Sequence, residues 1–395
     1  MSAIIGWAHS QFGKLEDSDL ESLLATVCKQ AVQDAGIGFD EVDAIYVGNF
    51  GMFEKQSFPA SFALEADPAL RFKPATRVEN ACATGSAAVH MGLNDLASKK
   101  SRFVLVVGAE KMTSAPGAVI GDVLLNASYR KTEADTPGGF AGVFARIADL
   151  YFQRYGDQSE AMARIAAKNH ANGVHNPYAQ MRKDFGYEFC NTISDKNPTV
   201  IGAIRRTDCS LVSDGAAAIV MTDTETALRF PKAVHFRAAA HAQDYLPMAK
   251  RDIVAFEGCE QAWGKAHQQA GTTLDDLSFV ETHDCFTIAE LIEYEAMGLT
   301  AKGQGARAIA EGWTAKDGKL PVNPSGGLKS KGHPIGATGV SMHIMAAMQL
   351  TETAGDMQLK APQLAGIFNM GGAAVANYVS ILERLREAIA CFLDA

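Results

Sequence analysis

Two distant stretches of the chain repeat the same pattern of residues. Ala31-Val-Gln-Asp-Ala-Gly36-Ile-Gly-Phe-Asp40 recurs as Ala266-His-Gln-Gln-Ala-Gly271-Thr-Thr-Leu-Asp275, at a constant offset of 235 residues. Each copy predicts an amphipathic helix that ends at a glycine, followed by an acidic turn and a β-rich run. A chain with such a duplication is expected to fold as two similar α/β halves.

A second pair of segments supports the duplication. Ala83-Thr-Gly85-Ser-Ala-Ala-Val-His-Met corresponds to Ala337-Thr-Gly339-Val-Ser-Met-His-Ile-Met, with an offset of 254 residues. Each segment opens a predicted helix that leads to an apolar strand, at 103–108 in one half and at 365–369 in the other. The larger offset indicates extra loop residues in the second half.

The pattern changes between residues 113 and 210. Helices are predicted at 141–155 and 159–172, followed by a polar stretch rich in turn-forming residues. We therefore expect an N-terminal half formed by residues 1–112 and 211–235, a loop domain inserted at 113–210, and a C-terminal half at 236–395. The alternation of strands and helices favours an α/β fold with mixed or parallel sheets between helices.

Composition excludes several classes of function. A formal net charge of −9, from 36 Lys and Arg against 45 Asp and Glu, gives no broad cationic surface for nucleic acid. No apolar run approaches the ~18 residues of a membrane span. The N-terminus lacks a secretory pattern and the C-terminus is not a peroxisomal signal, so a cytoplasmic location is expected.

The cysteines predict free thiols. There are seven, at positions 28, 82, 190, 209, 259, 285 and 391, and no two have C-x-x-C spacing. Cys82 stands directly before the Ala-Thr-Gly helix of the first half. A helix N-terminus favours the thiolate, so Cys82 is a candidate nucleophile; the alternative is a small buried apolar residue.

His333 precedes the equivalent helix of the second half, in Gly332-His333-Pro-Ile-Gly336. The duplication brings it to the mouth of the sheet system that presents Cys82, where a base for nucleophilic catalysis is needed. A structural histidine is the alternative. The tight, glycine-bounded turn favours a functional role.

Two further loops carry candidate residues. His283 and Cys285 follow a predicted strand, and alternate residues of an extended segment reach one pocket. A metal site is not expected, because no supporting ligand set is present. Asn369-Met-Gly371-Gly372 ends the strand after the His333 helix, where glycines let a substrate approach backbone N–H donors or permit close helix packing.

These motifs together resemble the thiolase superfamily over nearly the whole chain. They occur in the same order: Asn80-Ala-Cys82-Ala-Thr-Gly, Ser213-Asp-Gly-Ala-Ala, His283-Asp-Cys285-Phe, Asn323-Pro-Ser-Gly-Gly, Gly332-His333-Pro-Ile-Gly-Ala-Thr-Gly and Asn369-Met-Gly-Gly. The chain is most similar to the sterol-carrier-protein type, which has His-Asp-Cys-Phe where most thiolases have Asn-Glu-Ala-Phe. It has Asn369 where a thiolase cysteine is usual. Because the sequence ends soon after Gly371, no sterol carrier domain is expected.

The resemblance implies a fold in five layers, α-β-α-β-α, in a homodimer or homotetramer. It also implies roles for single residues. Cys82 would be acylated and His333 would take its proton, while Cys285 would act as the second acid and base. His283 would belong to one oxyanion hole, and the backbone N–H groups of Cys82 and Gly371 would form the other.

The implied activity is thiolytic cleavage of 3-oxoacyl-CoA to acetyl-CoA and a shortened acyl-CoA, or the reverse Claisen condensation. Acyl-CoA and coenzyme A would be substrates, with no prosthetic group. Candidate contacts for the CoA phosphates are Lys183, Arg205, Arg206, Lys329 and Lys331, with solvated surface charge as the alternative.

Three other functions stay open at this stage. They are an acyltransferase subunit of a complex with a non-CoA acceptor, a thiolase-like retro-aldolase acting on CoA esters, and a non-catalytic interaction or lipid-binding protein. The presence of Cys82, His333 and Cys285 together favours catalysis.

Overall fold

The computed structural model describes residues 2–385 as an α/β fold. Cys391 and the end of the predicted C-terminal half lie outside the described residues. No helix within 2–385 is long and apolar enough to cross a membrane.

The strands are β1 (Ser2–His9), β2 (Ala44–Gly48), β3 (Ala75–Val78), β4 (Phe103–Glu110), β5 (Thr199–Ile201), β6 (Ile204–Arg205), β7 (Gly215–Asp223), β8 (Val234–Gln243), β9 (Phe279–Glu281), β10 (Leu364–Gly371) and β11 (Ala376–Arg384). The helices are α1 (Leu20–Ala35), α2 (Pro59–Phe62), α3 (Thr84–Ala97), α4 (Gly117–Leu124), α5 (Arg130–Glu133), α6 (Gly139–Tyr155), α7 (Ser159–Gly173), α8 (Gly186–Asn191), α9 (Thr224–Ala227), α10 (Glu257–Ala270), α11 (Thr287–Ala296), α12 (Gly305–Ala310), α13 (Gly327–Lys331) and α14 (Ile335–Leu350).

The main sheet has the symmetry that the repeat predicts. Its order is β3-β2-β4-β7-β1-β8-β11-β10-β9. Counted outward from the middle, β1, β7, β4 and β2 of one half match β8, β11, β10 and β9 of the other. Val322 forms an isolated parallel bridge with Val280, on the outer side of β9 where β3 would correspond. β1 and β8 pair antiparallel at Ala3–His235 and Ile4–Val234, so the two halves share one continuous sheet.

Helices cover both faces of the strands and fill the space between the halves. α1 packs on β1 and β7, and α10 packs on β8 and β11. Between the two sets of strands, α3 packs against α14, and α14 also contacts β4, β7 and β10. All sixteen residues of α14 are buried, as a helix in the middle layer requires. The expected α-β-α-β-α fold is confirmed.

The two middle helices approach each other through glycine. A Cβ atom on Gly85 would lie 2.7 Å from the backbone nitrogen of Gly339, and one on Gly339 would overlap the backbone nitrogen of Ser86. Neither glycine has a positive φ. What each provides is the absence of a side chain, which lets the two backbones touch.

The segment 113–210 contains α4 to α8 and the hairpin of β5 and β6. The helices predicted at 141–155 and 159–172 are observed as Gly139–Tyr155 and Ser159–Gly173. The division of the chain into three domains at the boundaries given above stays a prediction.

The glycine contact generates a stability prediction. Gly339→Ala should destabilise the protein by about 1–3 kcal/mol, because the new methyl group overlaps the backbone of α3. The measurement is the midpoint of urea unfolding followed by circular dichroism. The control is Gly264→Ala, since Gly264 lies inside α10 and a Cβ atom there would meet no atom within 4 Å. That control should gain stability from the better helix propensity of alanine. Equal midpoints for the two variants would contradict the prediction.

Candidate active site

Three of the candidate residues meet where loops of the two halves converge. Cys82 lies between β3 and α3, His283 follows β9 by two residues, and His333 stands two residues before α14. The Cys82 sulfur and one ring nitrogen from each histidine all lie within 4.8 Å of one another. All three side chains are buried. The structure thus brings together residues more than 200 positions apart, as the duplication predicts for Cys82 and His333.

The Cys82 thiol is neutral in the resting protein. Burial raises the pKa of Cys82 to about 12, although the backbone N–H of Gly372 donates to the sulfur and lowers the pKa in part. The expectation that the start of α3 would favour a thiolate is therefore wrong: loss of hydration outweighs the helix N-terminus. Cys82 needs a base at the moment of attack.

His333 has the proton arrangement of such a base. The Thr338 hydroxyl donates to the Pro334 carbonyl (2.9 Å), so its oxygen is free to accept from Nδ1–H of His333 (2.7 Å). The proton on Nδ1 leaves Nε2 as an acceptor, and Nε2 is buried with no hydrogen-bond partner within residues 2–385. Burial lowers the pKa of His333 to about 3, which keeps the ring neutral.

His283 has the opposite arrangement. The side-chain amide nitrogen of Asn369 donates to the Cys82 carbonyl (3.2 Å) and to Nδ1 of His283 (2.9 Å). Because Nδ1 accepts, the proton lies on Nε2, which is also buried and has no partner in the described chain. Burial holds the pKa of His283 well below its usual value. The site therefore offers one neutral acceptor and one neutral donor beside the thiol.

Cys285 lies in a cavity of about 410 Å³ with Cys82 and His333. Burial raises the pKa of Cys285 well above its usual value, and a thiolate at Cys82 would raise it further. The rest of the wall is mainly apolar and includes Ile120 and Leu124 of α4. Its shape and lining suit an apolar group carried on a reactive carbonyl.

The glycine pair after β10 contacts the nucleophile. Gly372, with a φ of +62°, supplies the N–H that reaches the Cys82 sulfur. A Cβ atom on Gly371 would lie 2.5 Å from the carbonyl oxygen of Asn80, so Gly371 packs against the nucleophile loop. The sequence analysis named both glycines of this loop but assigned a specific role only to Gly371; the role of Gly371 N–H in an oxyanion hole stays a prediction.

Other supporting residues were also missed. Asn369 was noted only for the absent cysteine, and Thr338 was not singled out. Asp284 accepts hydrogen bonds from the backbone N–H groups of Leu328 (2.6 Å) and Lys329 (3.1 Å). This carboxylate ties the His283 loop to the segment that carries His333. In the sequence, only the position of Asp284 inside the His-Asp-Cys-Phe motif indicated that this residue supports the site.

The three clustered side chains are also possible metal ligands. One thiol and two imidazoles within 4.8 Å of one another are a donor set that zinc accepts. The expectation of a metal-free site accordingly stays a prediction.

A second cavity, of about 520 Å³, shares the lining residue Leu211 with the first. Its charged lining residues are the cationic Lys183, Lys196, Arg206 and Lys329 and one carboxylate, Asp184. The two other candidates for phosphate contact, Arg205 and Lys331, lie elsewhere. Arg205 is buried in an ion pair with Asp208 (2.8 Å), Lys331 is fully buried, and neither is among the residues that line this cavity. Lys196 was missed, because a lone exposed lysine carries no signal in sequence.

Comparison with known families matches both halves. Residues 2–186 match the thiolase N-terminal domain, and residues 239–384 match the thiolase C-terminal domain-like family. The acetyl-CoA acetyltransferase of Methanothermobacter thermautotrophicus is 35% identical over 388 residues, which cover 97% of this chain and 99% of that protein. Human sterol carrier protein 2 is 31% identical over 396 residues, which cover 94% of this chain and 70% of that protein.

Solved structures agree on the fold. The Ltp2-ChsH2(DUF35) aldolase superposes with a TM-score of 0.82 at 20% identity, over 98% of both chains. A monomeric SCP2-thiolase-like protein from Mycobacterium smegmatis superposes with a TM-score of 0.72 at 18% identity, over 97% of this chain and 77% of that one. The chain belongs to the thiolase superfamily. Within it, the protein is of the sterol-carrier-protein (SCP2) thiolase type.

The neutral state of Cys82 generates a pH prediction. Its alkylation rate with iodoacetamide should still rise at about pH 10, because burial raises the pKa of the thiol to about 12 and only the thiolate reacts. The measurement is the labelling rate of the Cys82 peptide by mass spectrometry between about pH 6 and pH 10. A small free thiol, which levels off near its pKa of about 8.5, is the reference. A plateau for Cys82 near neutral pH would instead show a resting thiolate paired with protonated His333.

Proposed function

We propose that this protein is a thiolase-type acyltransferase that cleaves or forms 3-oxoacyl-CoA through an acyl-Cys82 intermediate. The observation that carries the proposal is the arrangement around the Cys82 sulfur. One ring nitrogen of His333 and one of His283 lie within 4.8 Å of the Cys82 sulfur. Nε2 of His333, an acceptor, and Nε2 of His283, a donor, are both buried without a partner within residues 2–385. Acyl transfer needs both, one to take the thiol proton and one to hold a developing oxyanion.

Cleavage then proceeds in two half-reactions. Cys82 transfers its proton to His333 while its sulfur attacks the 3-keto carbon of the substrate. The bond between C2 and C3 breaks, the acyl group stays on Cys82, and Cys285 protonates the acetyl-CoA enolate that leaves. Free CoA loses its thiol proton to the Cys285 thiolate and attacks the acyl carbon, and Cys82 leaves with a proton from His333.

Condensation is the reverse. Cys285 removes a proton from C2 of acetyl-CoA, and the enolate attacks acyl-Cys82. Because that proton is very weakly acidic, the enolate oxygen must be held strongly, and His283 is the donor we assign to it. Loss of one oxyanion-hole donor typically costs about 2.7–4 kcal/mol of transition-state stabilisation.

The cationic cavity supports CoA as the carrier. Arg206, Lys183 and Lys196 offer positive charge in one cavity, and this cavity shares the lining residue Leu211 with the reactive one. An acyl-CoA carries anionic phosphates at one end and a thioester at the other. The two cavities match this distribution, since cationic side chains line one and the reactive groups line the other. CoA enters the proposal as a substrate, not as a prosthetic group.

An acyl-enzyme prediction tests the reaction. Incubation with acetoacetyl-CoA or acetyl-CoA should add one acetyl group to the protein, because Cys82 attacks the 3-keto carbon of the first compound and the thioester carbonyl of the second. The measurement is intact mass, before and after addition of free CoA, which should discharge the adduct. Cys82→Ala is the matched variant and should show no adduct.

The outcomes separate the proposal from the alternatives. An adduct that persists in Cys82→Ala would contradict Cys82 as the nucleophile. If wild type gains no acetyl group from either compound, small acyl-CoAs are not substrates of the isolated chain. The partner-dependent acyltransferase and the CoA-ester retro-aldolase would then take precedence.

A phosphate-contact prediction tests the carrier. Arg206→Ala should weaken CoA binding by roughly tenfold or more, since a charge-assisted hydrogen bond contributes about 1.5–3 kcal/mol. The measurement is the Kd for CoA by isothermal titration calorimetry. Binding of an acyl-pantetheine, which lacks the nucleotide phosphates, should not change. Lys265→Ala, at an exposed lysine of α10 away from both cavities, is the control. Equal Kd values for the Arg206 and Lys265 variants would contradict this assignment.

A further inference from the structure

Two glycines of α4 face the reactive cavity. Gly117 and Gly121 are one turn apart and line the cavity together with Ile120 and Leu124. A Cβ atom built on either glycine would meet no atom within 4 Å. Gly117 is exposed and Gly121 is half-buried, so the space beside them is open, and both residues form part of the cavity wall.

The backbone of α4 does not require these glycines. Neither has a positive φ, and neither lies against another backbone as Gly85 does. Glycine is among the least favourable residues in a helix, and α4 holds two in eight residues. What both provide is room on the cavity side.

The same cavity contains the reacting groups. His333, which is 7% exposed, lines it and has an Nε2 atom without a partner in the described part of the chain. Cys82 and Cys285 line it as well. Part of the remaining wall is aromatic: Phe140 and Phe286 line the cavity, and Phe286 stacks on Phe144, with ring centroids 4.4 Å apart. A group bound at the thiol therefore has an apolar space beside it, bounded by α4.

We propose that the glycine face of α4, Gly117 and Gly121, determines acyl-chain specificity and makes room for a medium-length apolar acyl group. This inference rests on the proposed function. The cavity, about 410 Å³, is within the range of pockets that hold whole small molecules and exceeds what an acetyl group fills. The chain would extend from Cys82 along α4, between its glycines and the Phe286 side of the cavity.

The physical consequence is a dependence of affinity on chain length. Each buried methylene tightens binding by up to about fourfold. A leucine at position 121 would fill the same space without moving the backbone, because nothing lies within 4 Å of its Cβ. Gly121→Leu should remove the gain in affinity that a longer acyl chain provides, and should leave the affinity for acetyl-CoA unchanged.

The experiment measures binding without turnover. In a Cys82→Ala background, the Kd of octanoyl-CoA and of acetyl-CoA are compared by isothermal titration calorimetry, for the parent and after adding Gly121→Leu. The parent should bind octanoyl-CoA at least about tenfold more tightly, and Gly121→Leu should abolish most of that ratio. Gly264→Leu is the control: it places the same side chain in an exposed helix position with equal free space, and should keep the ratio.

Two results would overturn the inference. One is an octanoyl-to-acetyl ratio near one in the parent; the other is an unchanged ratio in Gly121→Leu. If Gly121→Leu does not fold by circular dichroism, Gly121→Ala is measured in its place and should lose a smaller part of the ratio.

Acylation of wild type by octanoyl-CoA, followed by intact mass, separates this inference from the proposed reaction. If no adduct forms but the octanoyl-to-acetyl affinity ratio depends on position 121, the acyl site is as inferred and the proposed acylation of Cys82 is wrong. If the adduct forms but the affinity ratio is unchanged in Gly121→Leu, the proposed acylation is right and the inferred acyl site is wrong.

Discussion

The backbone contact between α3 and α14 at Gly85 and Gly339 is the constraint on which the site depends. Each helix begins directly after a loop that carries a reactive group, Cys82 on one and His333 on the other. The helices touch without intervening side chains near their N-terminal ends. The loops that precede these ends are therefore held close together. Asn369 also reaches this contact: its Oδ1 lies 2.5 Å from where a Cβ of Gly339 would stand. Asn369 also donates a hydrogen bond to His283. The contact between α3 and α14 therefore helps to position Cys82, His283 and His333.

Burial determines the chemical state of these groups. The thiol of Cys82 and both imidazoles are neutral because charge is disfavoured away from water, and burial moves the pKa of each in that direction. Two buried ring nitrogens without partners would cost about 1–3 kcal/mol each in an ordinary core. A substrate oxygen and a thiol proton can satisfy them. A site of this kind creates charge only during the reaction, when donors already in place can stabilise it.

The sequence allowed much of the fold to be predicted, for a physical reason. A repeat of helix, turn and strand restricts each half to the same strand order, and the pairing of Cys82 with His333 follows because they lie in the loops before equivalent helices. The pKa of Cys82 was mispredicted because burial depends on how α3, β10 and α4 pack, which local sequence does not show. The bond from Asn369 to His283 joins residues 86 positions apart, and no local pattern marks it. The joining of β1 to β8 likewise depends on the packing of the halves.

The two duplicated halves and the segment between them contribute differently to the site. The reactive groups come from loops of the halves, whereas α4 and the cationic residues Lys183, Lys196 and Arg206 come from 113–210. α4 meets the nucleophile through Val123, which packs in one small cluster with Cys82. Its glycine face lines the cavity instead. A change on that face alters the space for an acyl chain while Val123 still holds the nucleophile loop. Specificity can therefore vary in this fold without disturbing the helix crossing that positions the chemistry.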